Sequence, residues 1–176
     1  WGYNHKGQLG NNSTTDSSVA INLTDEGSLT SSYVASKIDL GVHTTGIITT
    51  TPSDENVFMW GYNDKGQLGN NSTTDSSVPV KPNIASSALS SNYVATEIGI
   101  GNASSTGIIT STPSTNNVFT WGYNHLGQLG NNSTTDSSVA VQPTTGGVLT
   151  GTGTQFLNEL RTGDIIVDGN GNEQVI

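Results

Sequence analysis

The side chains that could form a catalytic centre are few in this sequence. A hydrolytic triad needs a base that is oriented by an acid, and the only imidazoles are His5, His43 and His125. His5 and His125 occupy the same position of an internal repeat, and the middle copy has Asp64 there. Because this position exchanges an imidazole for a carboxylate, we interpret it as a solvent-exposed loop position. We therefore predict no catalytic residue and no enzyme activity.

Metal and cofactor sites are also poorly supported. Asp168, Asn170 and Asn172 resemble the alternating oxygen ligands of a calcium loop, but Glu173 stands at the sixth position, where such loops need glycine. We favour an ordinary hairpin turn for this segment. Neither a Gly-x-Gly-x-x-Gly nor a P-loop sequence occurs, and the chain contains no cysteine. The expectation is no metal, no cofactor and no disulfide.

Polar loops recur three times and are the candidates for protein contact. Each loop carries the sequence NNSTTDSS, over residues 11–18, 70–77 and 131–138. Its aspartate could form part of a cation-binding or partner-binding surface, but an aspartate that stabilises a turn is the favoured interpretation. The candidate contact residues are Asn11, Asp16, Asn70, Asp75, Asn131 and Asp136. Glycosylation sequons begin at Asn11, Asn12, Asn22, Asn70, Asn71, Asn102, Asn131 and Asn132.

The charge balance excludes several classes of partner. Fourteen acidic residues stand against five Lys and Arg, for a formal net charge of -9. Binding to nucleic acid requires clustered basic residues, so we predict no nucleic-acid partner. The same charge disfavours an anionic membrane surface, and no apolar run approaches the ~20 residues of a membrane span. Other proteins are the expected partners.

A repeat of about 60 residues organises most of the chain. The run WGYN-xx-GQLGNNSTTDSSV begins at Trp1, Trp60 and Trp121, and its copies differ only at the two positions marked x. Between the runs lie short β-branched and aromatic segments bounded by Gly, Pro and Asn, which is typical of strands and turns. An all-β unit of this length with three or four strands fits one blade of a β-propeller.

The largest apolar side chains of the repeat are predicted to lie between blades. They are Phe58, Trp60 and Leu68, with their counterparts Phe119, Trp121 and Leu129. Gly61, Gly66 and Gly69 are expected to supply positive φ angles or close backbone approach in the turn that follows the tryptophan.

The WGYNxxGQLGNN motif, preceded by V-F-x-W, resembles the repeat of the regulator of chromosome condensation family. The resemblance covers residues 1–150 and implies blades of a propeller that has seven blades in that family. After Leu149 and Thr150 the third unit departs from the pattern, with no further Tyr-Val-Ala or Val-Phe-x-Trp. The prediction is therefore a partial β-propeller of about two and a half blades.

Residues 151–176 carry a different pattern and are predicted to form a β-hairpin module. Its strands are Ile165 to Val167 and Gln174 to Ile176, around an Asp-Gly-Asn-Gly turn. The segment is similar to the GTGT-F-x-x-E-L-x-x-GD-x-I modules of phage and large-virus structural proteins, which implies a virion component. The chain opens inside a repeat and stops in a strand, so we expect a segment of a longer polypeptide.

These observations favour a non-enzymatic structural or interaction module, plausibly part of a virus particle, with neighbouring structural subunits as partners. Two alternatives follow from the family resemblance: guanine-nucleotide exchange on a small nuclear GTPase, and inhibition of an enzyme by a secreted propeller. The acidic charge and the incomplete ring weigh against the exchange role.

Overall fold

The fold is all-β in a computed structural model, which describes residues 1–23, 27–144, 165–167 and 173–175. The chain divides into two compact units, Trp1–Thr145 and Gly146–Ile176. In the part of the chain that the structure describes, every regular element is a strand. None of these residues forms a helix that is long and apolar enough to span a membrane.

Two antiparallel sheets of four strands make up the first unit, with the strands in chain order in each sheet. The first sheet contains β1 (Val34–Leu40), β2 (Thr44–Thr51), β3 (Val57–Gly61) and β4 (Ser76–Val80). The second contains β5 (Val94–Ile100), β6 (Ser105–Thr112), β7 (Val118–Gly122) and β8 (Ser137–Val141). This arrangement is that of two propeller blades and confirms the predicted partial propeller.

The blades are offset from the sequence repeats. The repeat copy that begins at Trp60 starts inside β3, and β4 lies in the same copy, at the end of its polar loop. Each blade therefore takes three strands from one sequence unit and its last strand from the next. Ahead of the first blade, Gly2 and Ser17 form an isolated antiparallel bridge. Gly61 and Ser76 are paired in the same way between β3 and β4.

The main hydrophobic core joins the two blades. The first blade contributes Ile48, Val57 and Met59, and the second contributes Tyr93, Ile108, Phe119 and Trp121. Close contact is possible because β2 has a glycine at its centre: a Cβ on Gly46 would lie 2.7 Å from Cδ1 of Ile98. A second cluster, on the other face of the first blade, contains Leu29, Ile47, Phe58 and Trp60.

The predicted core residues are buried. Trp60 and Trp121 are 3% and 0% exposed, and Leu68 and Leu129 are 0% and 1% exposed. Trp1, which precedes the first complete blade, is 77% exposed.

The second unit contains a short hairpin. Strand β9 (Ile165–Val167) pairs antiparallel with β10 (Glu173–Val175). The predicted hairpin is confirmed, but its second strand begins one residue earlier than expected. The turn between the strands, including the segment compared with a calcium loop, lies outside the described residues.

Candidate protein-interaction surface

The loops of the three repeat copies, which are nearly identical in sequence, lie at one end of the blades, here called the loop end. It comprises residues 2–17, 62–75 and 123–136, with the β1–β2 turn at 41–43 and the β5–β6 turn at 101–104. The opposite end, called the turn end, carries the β2–β3 turn at 52–56 and the β6–β7 turn at 113–117. This separation follows from the up-and-down order of the strands.

One buried asparagine organises each polar loop. The Asn63 side chain is 0% exposed. Its Nδ2 donates to Asn70 Oδ1 at 3.2 Å and to the carbonyl oxygens of Ser72 and Thr74 at 3.0 and 2.9 Å. Its Oδ1 accepts from the Leu68 amide at 2.9 Å. Asn4 and Asn124 make the corresponding bonds in their own loops.

The sequence analysis missed this asparagine and attributed the stability of the loop to the NNSTTDSS residues that follow it. The sequence does carry a signal for it, because the same asparagine follows Trp-Gly-Tyr in all three repeat copies. A short amide with two donors and an acceptor can satisfy several backbone groups of a tight loop at once. The loop is therefore built around a buried polar centre.

The repeated aspartate stabilises the same loop. Oδ1 of Asp75 accepts a hydrogen bond of 2.8 Å from the Asn63 amide. The equivalent bonds join Asp16 to Asn4 at 2.8 Å and Asp136 to Asn124 at 2.7 Å. The aspartates therefore stabilise the loop, as the favoured interpretation expected, but each bonds a backbone amide 12 residues away and not its own turn. Each bond uses Oδ1, so that the second carboxylate oxygen is available for other donors.

The structure therefore places all six candidate contact residues in the scaffold of the loops. Asp16 and Asp75 are exposed and Asp136 is half-buried. The three asparagines are half-buried, and each accepts a hydrogen bond from its buried asparagine. A role of these six residues in contact with a partner stays a prediction. They are Asn11, Asp16, Asn70, Asp75, Asn131 and Asp136.

The first and second loops also accept hydrogen bonds from the blade that follows. The carbonyl oxygen of Gln67 accepts from Trp121 Nε1 at 2.8 Å and from Thr106 Oγ1 at 3.0 Å. The carbonyl oxygen of Gln8 receives the same two donors from Trp60 and Thr45, both at 2.9 Å. The loop of one repeat thereby holds the tryptophan of the following repeat, and the position of the loop end is fixed by both blades.

Gly66 and Gly127 occupy the same position of the repeat, and comparing them separates the free-energy cost of backbone strain from the cost of a steric clash with the next blade. Gly66 and Gly127 both have a φ of +76°. A Cβ on Gly66 would lie 2.4 Å from the Cα of Ser138, whereas one on Gly127 would meet nothing within 4 Å. We expect Gly127→Ala to cost about 1–2 kcal/mol of unfolding free energy from φ alone, and Gly66→Ala to cost more. Urea unfolding followed by circular dichroism measures both, and equal costs would contradict the close contact.

A row of ring side chains lies on the loop end. The ring centroids of Tyr3 and His5 are 4.6 Å apart, those of Tyr3 and His43 are 5.6 Å apart, and those of His43 and Tyr62 are 6.2 Å apart. We call these four residues the aromatic row. Tyr3 is 49% exposed and His5 is exposed, whereas His43 and Tyr62 are half-buried. A hydrogen bond to Asp64 raises the pKa of Tyr62, which keeps this phenol neutral as the pH rises.

The histidines lie where the sequence predicted. His5 and His125 are exposed, and each Nε2 is 3.7 Å from Oδ1 of an aspartate of its own loop. His125 also contacts Tyr123, with ring centroids 4.8 Å apart. His43 is half-buried, and its Nδ1 is 3.4 Å from Nε2 of Gln8.

A lysine of the first loop reaches across to the second. Nζ of Lys6 lies 3.2 Å from Oδ2 of Asp75 and 4.7 Å from the centroid of the Tyr62 ring. The ammonium group is therefore held by a carboxylate and by an aromatic face together. Within the described ranges, no three His, Asp or Glu residues are grouped so that they could hold a metal ion.

A family comparison supports the repeat. Residues 54–105 and 116–149 match the model of the family described as "Regulator of chromosome condensation (RCC1) repeat".

Solved structures of known proteins are similar to this chain in fold. The crystal structure of human WBSCR16 has 18% identity and a TM-score of 0.60, covering 82% of this chain and 34% of that chain. The structure of Prp20p from Saccharomyces cerevisiae, described with its binding to Gsp1p and histones, has 18% identity and a TM-score of 0.58, with coverage of 82% and 33%. Yeast RCC1 (Prp20) bound to Kap60 has 17% identity and a TM-score of 0.60, with coverage of 82% and 32%. This chain thus spans about a third of the length of each, and the likeness establishes the β-propeller fold.

Proposed function

The chain carries RCC1 repeats folded as β-propeller blades, and from this premise we propose that it is a non-enzymatic protein-binding module whose loop end contacts a basic protein. The observation that carries the proposal is the aromatic row, because its rings are contiguous and two of them, Tyr3 and His5, are exposed. Tyrosine is among the residues that supply most of the binding energy of protein interfaces, since its ring offers a large contact area and its hydroxyl a hydrogen bond.

Charge supports a basic partner. The chain has a net charge of -9, and the loop end presents Asp16, Asp64, Asp75 and Asp136. Opposite charge on a partner accelerates encounter and favours the correct orientation. The structure of Prp20p was described with its binding to Gsp1p and histones, and histones are the basic class of protein that this proposal expects.

The test is the binding of purified core histones to the whole chain, measured by interferometry at two salt concentrations. We expect binding that weakens as salt rises, and a loss of at least about tenfold in affinity for the double variant Tyr3→Ala, Tyr62→Ala. Ser53→Ala, on an exposed residue of the turn end, is the control and should bind as the parent does. Equal affinities of the aromatic variant and the parent would place the contact elsewhere and reject the proposal.

The exchange role is tested on the same material. A Gsp1p-type GTPase loaded with a fluorescent nucleotide should release it at the same rate with and without the chain. Acceleration of release would favour guanine-nucleotide exchange over simple binding. Capture of one enzyme with high affinity, accompanied by its inhibition, would favour the inhibitor alternative.

A second proposal is that the chain is located in a virus particle. The sequence of residues 151–176 supports a partner set that includes neighbouring subunits of a virus particle. The three solved structures reported above come from human and yeast, so this proposal rests on the C-terminal sequence alone. Stoichiometric recovery of the chain from purified particles is the expected result. Recovery only from a soluble cellular fraction would contradict it.

A further inference from the structure

The three copies of the loop present the same pair of groups, a tyrosine ring and an aspartate, and among the described residues a lysine occupies this pair in the middle copy. Tyr62 and Asp75 hold the ammonium group of Lys6, at 4.7 Å from the ring centroid and 3.2 Å from Oδ2. The backbone bond to each aspartate involves Oδ1, so Oδ2 is the oxygen that faces the cation. The middle copy thus shows that this pair of groups binds a primary ammonium group, that of Lys6.

The third copy lacks its lysine because that lysine is held elsewhere. Lys65 is the repeat counterpart of Lys6, and Tyr123 with Asp136 is the pair that it would reach. Its Nζ instead lies 3.7 Å from Oδ2 of Asp64, the residue that replaces the histidine of the other copies. Among the described residues, no donor is bonded to Oδ2 of Asp136.

We propose that the loop end carries one open subsite for a cationic side chain, formed by Tyr123 with Asp136, which binds a lysine or arginine residue of a basic segment of the partner. The inference rests on the proposed function and names the part of the partner that is recognised. A carboxylate beside an aromatic face suits an ammonium or guanidinium group, since both contacts are electrostatic. Lys6 already fills the middle subsite from within the chain.

The experiment uses the full 176-residue chain and a fluorescein-labelled peptide of alternating lysine and glycine, with binding followed by anisotropy. Asp136→Asn removes the charge and keeps the Oδ1 acceptor of the backbone bond. It is expected to lower affinity about fivefold, as a partly exposed ion pair with a cation–π contact should. Thermal unfolding confirms that each variant is folded.

Two matched controls distinguish a site from general attraction. Asp54→Asn makes the same charge change at the turn end and should alter affinity by less than about twofold. Lys6→Met opens the middle subsite and should raise affinity about fivefold, whereas Lys81→Met, at the turn end, should not. Equal losses for Asp54→Asn and Asp136→Asn, or equal effects of the two lysine variants, would overturn the subsites. Histone binding that still depends on Tyr3 and Tyr62 would show that the proposed function survives their failure.

Discussion

Replacing Trp121 by alanine is expected to lower the free energy of unfolding of the first unit by about 3–5 kcal/mol, because it removes a large buried side chain. Trp121 is 0% exposed and packs in the core between the blades. Its Nε1 also donates to the Gln67 carbonyl oxygen, which would lose its indole donor. Urea unfolding followed by far-ultraviolet circular dichroism measures the change without relying on tryptophan fluorescence.

Trp1 provides the matched control for this experiment. It has the same place in the repeat but is 77% exposed, so Trp1→Ala should change stability by less than about 0.5 kcal/mol. Trp121→Phe retains most of the apolar volume and loses the indole donor, and should fall between the two. Similar costs for Trp1→Ala and Trp121→Ala would mean that the contact between the blades does not depend on this side chain.

Replacing Asn63 by alanine is expected to cost about 3–4 kcal/mol, since four hydrogen bonds of about 1 kcal/mol each are lost from a buried site. The amide of Leu68 and the carbonyl oxygens of Ser72 and Thr74 would lose this partner. The same loop holds Trp121 through Gln67, so the damage should extend to the contact between blades. Denaturant unfolding measures the cost.

Asn102→Ala tests whether the effect belongs to the buried position. Asn102 is exposed in the β5–β6 turn, and its replacement should cost less than about 0.5 kcal/mol. Asn63→Asp adds a second control, because the carboxylate retains the acceptor for Leu68 and loses the donors. Stability of Asn63→Ala close to that of Asn102→Ala would show that the loop does not need its buried centre.

The loops show where reading the sequence succeeded and where it did not. A stabilising role of Asp75 in its loop was predicted because a short acidic side chain commonly bonds nearby backbone, but its partner is the Asn63 amide, 12 residues away. The role of Asn63 was not predicted, because polar residues are usually exposed and only a folded loop shows that this one is buried. The contact of Lys6 with Asp75, 69 residues away, depends on how the first loop is placed against the first blade and has no local signal.

The sequence by itself determined the all-β class, the repeat and the residues of the core, because strand periodicity, turn glycines and large apolar groups are local properties of the chain. It also determined that Gly61, Gly66 and Gly69 would need unusual backbone angles, and all three have positive φ. Only the tertiary structure decided that blades are offset from repeats, that Gln67 holds Trp121, and that the aromatic row forms. These features join residues distant in sequence, so they exist only once the two sheets pack and the loops of successive repeats meet.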